Sequence, residues 1–324
     1  MTDKKIIAVV GATGSQGGGL ARAILDDPDG PFALRALTRD VDSPKAKELA
    51  ARGAEVVRAD LDDEASVRKA FEGAYGAFVV TNYWAPLTPE EEAARSRARM
   101  ELEQAETAAR AAKAAGLKHV VWSTLEDTRP HFEYAESAIP TLAEGYKVPH
   151  FDAKGEANAY FSAQGVPTTF LETTFYYESL LAGQGPSRGA DGRLALTIPM
   201  GESPLSLVAV EDIGRTAYGI FLAGPRYVGR AVGLAGAHYT GAELAALFTR
   251  VLGEQVDYRP LTHDQVRAAG FPAADEVAGT FQFYAEAAES FVGHRDLDNV
   301  REINPRLKPL EEWITEHRDE FLRG

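Results

Sequence analysis

Ile6-Ile7-Ala8-Val9-Val10 runs directly into Gly11-Ala12-Thr13-Gly14-Ser15-Gln16-Gly17-Gly18-Gly19, and no other stretch limits the fold as much. Five consecutive apolar residues suit a central parallel strand covered on both faces, since a strand with one wet face would alternate. Glycines at 11, 14 and 17 permit a tight turn, a close backbone approach to a bound group, and close packing of the next helix on the strand. The free N–H groups in the first turn of that helix then face an anion. Strand, glycine turn and helix occur in the required order, which predicts a dinucleotide site with Gly11, Ala12, Thr13, Gly14, Ser15, Gln16 and Gly17 around the pyrophosphate.

The rest of the first half alternates strand and helix patterns. Strands are expected at 32–38, 54–60, 75–80, 118–124 and 166–172, with helices at about 16–26, from Ser43-Pro44, from Asp62-Asp63-Glu64, between Pro89 and Gly116, and at 151–164. The Pro89 to Gly116 stretch reads as one Ala/Glu/Arg-rich helix whose charged face is solvated. Leu125 to Pro149 is irregular and lies after a strand, as a binding loop does. Such alternation predicts an α/β fold with a doubly wound, Rossmann-like parallel sheet. Beyond residue 173 the order is mixed, with a hairpin around Gly192, strand-like runs at 205–210, 227–234 and 255–258, and a helix at about 211–222. The expected division is a dinucleotide-binding domain at 1–173 and a smaller α+β lobe at 174–324, with some later segments returning to the large sheet.

At 324 residues the chain can bury a large core. It has no cysteine, which excludes disulfides, thiolate catalysis and cysteine metal sites. The histidines, at 119, 131, 150, 238, 263, 294 and 317, show no H-x-x-x-H or H-E-x-x-H spacing, so no metal is expected. A net charge of −14 opposes binding to nucleic acid or anionic lipid, because such binding is mostly phosphate neutralisation by Lys and Arg. No run approaches the roughly 20 apolar residues of a membrane span, and Met1-Thr2-Asp3 leads toward the first strand with no signal peptide. A cytoplasmic location is the expectation.

The end of the second strand bears on which nucleotide is bound. An NAD site usually carries an acid there for the ribose 2′-hydroxyl, whereas this chain has Thr38-Arg39 with Lys45 and Lys47 nearby. A guanidinium can grip a 2′-phosphate with two hydrogen bonds, so NADP(H) is favoured; the other reading of Arg39 is a surface arginine beside Asp40. Asp60 and Leu61, at the third strand's end, can bracket an adenine, and Thr81, Asn82 and Tyr83 after the fourth can line the ribose and pyrophosphate.

Gly-Ala-Thr-Gly-Ser-Gln-Gly-Gly at 11–18, Leu-Thr-Arg at 37–39, Gly-Ala-Glu-Val-Val at 53–57, Thr-Asn-Tyr-Trp at 81–84 and His-Phe-Asp-Ala-Lys-Gly-Glu at 150–156 together resemble the NmrA-like family of atypical short-chain dehydrogenases/reductases. The similarity extends to Gly270-Phe271-Pro272 and Phe281-Gln282-Phe283-Tyr284, and is greatest to the family's NADPH-sensor type. The resemblance implies the same cofactor roles for residues 60, 61 and 81–83. It also implies that Tyr176, Tyr177, Glu178 and Ser179 pass near the nicotinamide.

Short-chain reductases use a Tyr acid with a Lys four residues on, because positions i and i+4 share a helix face and the ammonium favours the phenolate. Here Lys154 is present but His150 stands four before it, while Ser123 can take the usual serine position. Lys154 would still hold the nicotinamide ribose. His150 is either an unusual acid or a partly exposed residue after Pro149. Two classes of function stay open. The favoured one is a regulatory redox sensor that reads NADP(H), binds a protein partner and has little or no dehydrogenase activity. The alternative is an NADPH-dependent reductase of quinones, dyes or phenolic compounds, for which Phe132, Tyr134 and Tyr146 permit an aromatic substrate. A homodimer is the base-rate expectation.

Overall fold

The computed structural model describes residues 4–135 and 138–323. Residues 1–3, on which the leader expectation falls, and residues 136 and 137 of the 125–149 stretch lie outside them. The chain divides into two compact units. One comprises Met1–Asp127, His150–Glu172 and Glu211–Val232; the other comprises Thr128–Pro149, Thr173–Val210 and Gly233–Gly324.

The first unit is built on strands Lys5–Val10 (β1), Phe32–Thr38 (β2), Glu55–Arg58 (β3), Gly76–Val79 (β4), His119–Thr124 (β5) and Thr168–Glu172 (β6). Each runs parallel to its neighbours in the order β3-β2-β1-β4-β5-β6, and Ala231–Gly233 borders β6 at the edge. This is the doubly wound α/β sheet expected from the alternation. The strand order reverses direction between β1 and β4, where such sheets open a crevice at their carboxyl ends. Ile7, Ala8 and Val9 are fully buried, which is why β1 carries no polar face.

Helices Ser15–Leu25 (α1), Pro44–Ala51 (α2), Glu64–Phe71 (α3), Pro89–Ala94 (α4), Arg97–Ala115 (α5) and Pro149–Ala163, together with Val210–Leu222, complete this unit. The single helix expected from Pro89 to Gly116 is two. Arg95 is extended, with φ −151° and ψ 113°, and the Ser96 hydroxyl caps a new start by accepting from Arg99 N–H. On α5 the small side chains of Ala105, Ala108, Ala109 and Ala112 lie flat on the sheet, in one core with Phe71, Trp122 and Phe161. The charged face of α5 is not wholly solvated, because Glu101 is fully buried.

His119, at the amino end of β5, is buried against the ring of Phe221. Thr169 donates its hydroxyl hydrogen to Tyr227 O at 2.8 Å and so accepts from His119 Nε2 at 2.8 Å; Nδ1 has no partner. Burial pushes the His119 pKa down to about 4. The unfolded chain therefore binds a proton below about pH 6.5 that the folded chain refuses, and stability present above that pH is lost as pH falls toward 4. Between pH 7 and 5 the loss from this one group is about 2 kcal/mol. Urea midpoints at the two pH values should show that increment in the wild type and lack it in His119→Gln. An equal pH dependence in both would show that the imidazole does not titrate.

The second unit contains two three-stranded sheets. Strands Phe175–Tyr176, Leu205–Val208 and Ala237–Tyr239 form one, and Ser187–Arg188, Leu194–Leu196 and Val256–Tyr258 the other. Its helices include Gly241–Leu252 and six between His263 and Arg323, packed around Phe248, Phe291, Trp313 and Phe321. Arg295 is fully buried there and donates to Thr173 O at 2.8 Å and Phe291 O at 3.2 Å.

Candidate nucleotide site

The turn after β1 depends on two glycines. Gly11 has φ +64°, a conformation L side chains rarely adopt, and its carbonyl accepts from Gly14 N–H at 2.8 Å. A Cβ on Gly17 would stand 2.5 Å from Gly11 O and 2.7 Å from Val10 O, closer than any side chain tolerates. The start of α1 is open. Ser43, Asp63, Thr88 and Ser96 each cap their helices by accepting a backbone N–H, but α1 begins at Gly14 with no side-chain cap. Gly14 and Ser15 are exposed, so the uncapped N–H groups are accessible to an anion.

At the end of β2, Arg39 is exposed and makes no hydrogen bond or ion pair among the described residues. The neighbouring Asp40 turns its carboxylate into its own loop, accepting from Asp42 N–H at 2.9 Å. Lys45 is exposed, and Lys47 sits 3.8 Å from Asp42 in an exposed pair. Beyond β3, Asp60 accepts from Asp62 N–H at 3.1 Å, and Asp60 and Leu61 are half-buried. Asp62 is held by Arg95 at 2.8 and 3.2 Å and by Gln104 at 3.2 Å. The Arg95 hydrogen bonds are the main cause that keeps its carboxyl below the usual range, and the nearby charge of Arg39 contributes.

After β4, Thr81 and Tyr83 are buried and Asn82 is exposed. Arg97 fixes this turn by donating to Tyr83 O at 3.0 Å and Ala85 O at 2.7 Å. Ser123, at the end of β5, is buried and donates to Gln16 Oε1 at 2.6 Å, tying that strand to the glycine turn. The hydroxyl is thereby committed within the fold. The next residue, Thr124, donates to Lys154 O at 3.0 Å.

His150 falls in the first turn of the helix Pro149–Ala163, one turn before Lys154. Its ring lies among those of Phe151, Trp84 and Tyr83, at centroid distances of 4.9, 5.3 and 5.8 Å. Trp84 packs against these rings yet remains 48% exposed. The Lys154 ammonium points elsewhere, lying 5.1 Å from the centroid of the Trp122 ring. It pairs with the Glu101 carboxylate and donates to Thr81 Oγ1 at 2.8 Å, with Thr81 O at 3.4 Å. The Thr81 hydroxyl also contacts Glu101 Oε1. Sequence reading missed Glu101, although the signal is there. Buried residues 98, 101, 105, 108 and 112 recur at helical spacing, and this acid is the one charged member of the stripe.

Residues 176–179 belong to the second unit. Tyr176 pairs with Val208, and Tyr177 is fully buried, donating to Lys308 O at 3.2 Å beside Trp313. Glu178 accepts from Val210 N–H at 3.2 and 3.1 Å.

A model of the NmrA-like family matches residues 3–314. The NmrA-like family domain-containing oxidoreductase FrzB of Cladobotryum sp. is 31% identical over 294 residues, covering 86% of this chain and 83% of that protein. Among solved structures, NmrA, a negative transcriptional regulator, in complex with NADP matches with a TM-score of 0.74 at 23% identity, over 99% of this chain and 98% of that one. The same regulator in complex with NAD gives 0.75 at 22%, over the same shares. The Citrobacter sp. triphenylmethane reductase complexed with NADP(H) gives 0.69 at 21%, over 96% and 99%. At those identities the solved structures establish a shared fold, while the family model and FrzB establish kinship: the chain belongs to the NmrA-like family.

Proposed function

We propose that this chain binds NADP(H) at the carboxyl edge of its parallel sheet and works as a nucleotide-responsive regulatory protein with little or no reductase activity of its own. Two features fit the cofactor: the uncapped start of α1 over Gly17, and an exposed Arg39 with no hydrogen bond or ion pair among the described residues. In this reading the uncapped N–H groups at the start of α1, within the turn of residues 11–17, hold the pyrophosphate, Arg39 and Lys45 the 2′-phosphate, and Asp60 and Leu61 flank the adenine. Thr81, Asn82, Tyr83 and Lys154 line the ribose of the nicotinamide end. The nucleotide, when bound, supplies hydride chemistry; the protein side of that chemistry is where this chain is poor.

One observation carries the regulatory reading. The Lys154 ammonium, which would lower the pKa of an acid one turn earlier, is committed to Glu101 and Thr81, and the residue one turn earlier is a histidine packed among aromatic rings. Titration with NADPH and NADH, followed by turnover with a panel of quinones and carbonyl compounds, tests it: tight NADPH binding without turnover is expected. The reductase reading draws support from relatives named oxidoreductases and from the half-exposed Trp84 ring beside His150. Robust turnover with a bell-shaped pH profile that disappears in His150→Ala would establish it instead.

Arg39→Ala should weaken NADPH binding by roughly ten- to a hundredfold, since a hydrogen bond to a charged group contributes about 1.5–3 kcal/mol. NADH affinity should barely change. Equal losses for both nucleotides would mean that Arg39 supports the fold.

A further inference from the structure

Glu101 is a carboxylate in a place where α5 otherwise presents small or apolar side chains. Its side chain is fully inaccessible, and that of Lys154 is 11% exposed. Removing two charges from water costs several kcal/mol per ion, and only good pairing and additional hydrogen bonds offset it. The offset here is one-sided. Oε1 takes both the Lys154 ammonium and the Thr81 hydroxyl, while Oε2, also buried, has no hydrogen-bond partner. Lys154 is the one cation in an ion pair with this carboxylate among the described residues. The cluster's place is set by the sheet: Thr81 lies two residues past the end of β4, and Lys154 lies over Trp122 of the adjacent β5.

From this we infer that Glu101 is the counter-ion of the nicotinamide end of the site, and that by cancelling the Lys154 charge it sets the ratio of affinities for NADP⁺ and NADPH. The inference rests on the proposed function, in which Lys154 faces that end of the nucleotide. Oxidised and reduced nucleotides differ there by one charge, since the oxidised ring is cationic and the reduced ring neutral. A fixed charge nearby therefore acts on their difference and not on what they share. An uncompensated ammonium would discriminate against the oxidised form. With Glu101 beside it the pair is close to neutral, so a net charge penalises neither form and each is bound in proportion to its share of the pool. Lys154 acts on the ribose, and Glu101 is a positioning and charge-setting residue behind it.

The test measures dissociation constants for NADP⁺ and NADPH by calorimetry on the full chain. Glu101→Gln keeps the shape and removes the anion, and should weaken NADP⁺ about tenfold more than NADPH. The double variant Glu101→Gln/Lys154→Met, neutral at both positions, should lower both affinities yet return the ratio to near the wild-type value. Far-ultraviolet circular dichroism verifies folding, and if the single variant does not fold, the double variant's ratio decides. Equal losses in the single variant, a shift in favour of NADP⁺, or a double variant with the ratio still displaced would each overturn the inference while leaving cofactor binding intact. A wild-type chain that binds neither nucleotide would overturn this inference and the proposed function together.

Discussion

Gly17→Ala is expected to cost the chain its nucleotide, with NADPH affinity falling by about 10²–10⁴. The added methyl would lie 2.5 Å from Gly11 O, 2.7 Å from Val10 O and 2.8 Å from Gly11 C, all backbone atoms that no rotamer change can move. The first turn of α1 must shift away from β1, and with it the N–H groups proposed to hold the pyrophosphate. Each hydrogen bond to a charged group is worth about 1.5–3 kcal/mol, so losing two accounts for the range given. Overpacking itself should lower stability by about 1–3 kcal/mol, small enough for the variant to remain folded. Gly18→Ala is the control, because its Cβ would meet the end of the Arg22 side chain at 3.3 Å and Ala12 O at 3.4 Å. It should bind NADPH within a few-fold of wild type. A Gly17→Ala variant that binds normally would place the pyrophosphate somewhere other than this turn.

Lys154→Ala should have the second largest effect, and on stability as much as on binding. It leaves the Glu101 carboxylate fully buried with Thr81 as its one remaining hydrogen-bonding neighbour among the described residues. Breaking a buried pair by removing one member costs about 3–5 kcal/mol, more than most single substitutions. Urea unfolding should show that loss, and adding Glu101→Gln should recover a substantial part of it, since a neutral amide tolerates burial better than an unpaired carboxylate. If Lys154 served only the ribose, the variant would lose affinity and keep its urea midpoint. Additive losses in the double variant would likewise show that the pair is not coupled.

Much of this protein is a property of adjacent residues and is legible without coordinates. The apolar run at 6–10 dictates a strand covered on both faces, and β1 is buried along Ile7–Val9. The helix starts at Ser43 and Asp63 rest on side chains that reach backbone N–H groups two or three residues on, and the glycine turn rests on one φ and one close approach, whereas the break at Arg95 and the new start at Ser96 went unread. The cation at Arg39 is legible for the same reason, because it follows the strand end directly and the adjacent Asp40 carboxylate turns into its own loop. Interactions between residues far apart in the chain are a different matter. Comparison with short-chain reductases gave Ser123 the usual serine position and Lys154 the nicotinamide ribose, with nothing in the sequence to name their partners within the fold. Tertiary packing gave the serine hydroxyl to Gln16, 107 residues away, and the ammonium to Glu101 on a helix that composition read as solvated. Local propensity reports which backbone groups can be satisfied nearby; the partner of a buried charge is chosen by whichever strands and helices the sheet order brings together, and for Lys154 that order brought a carboxylate.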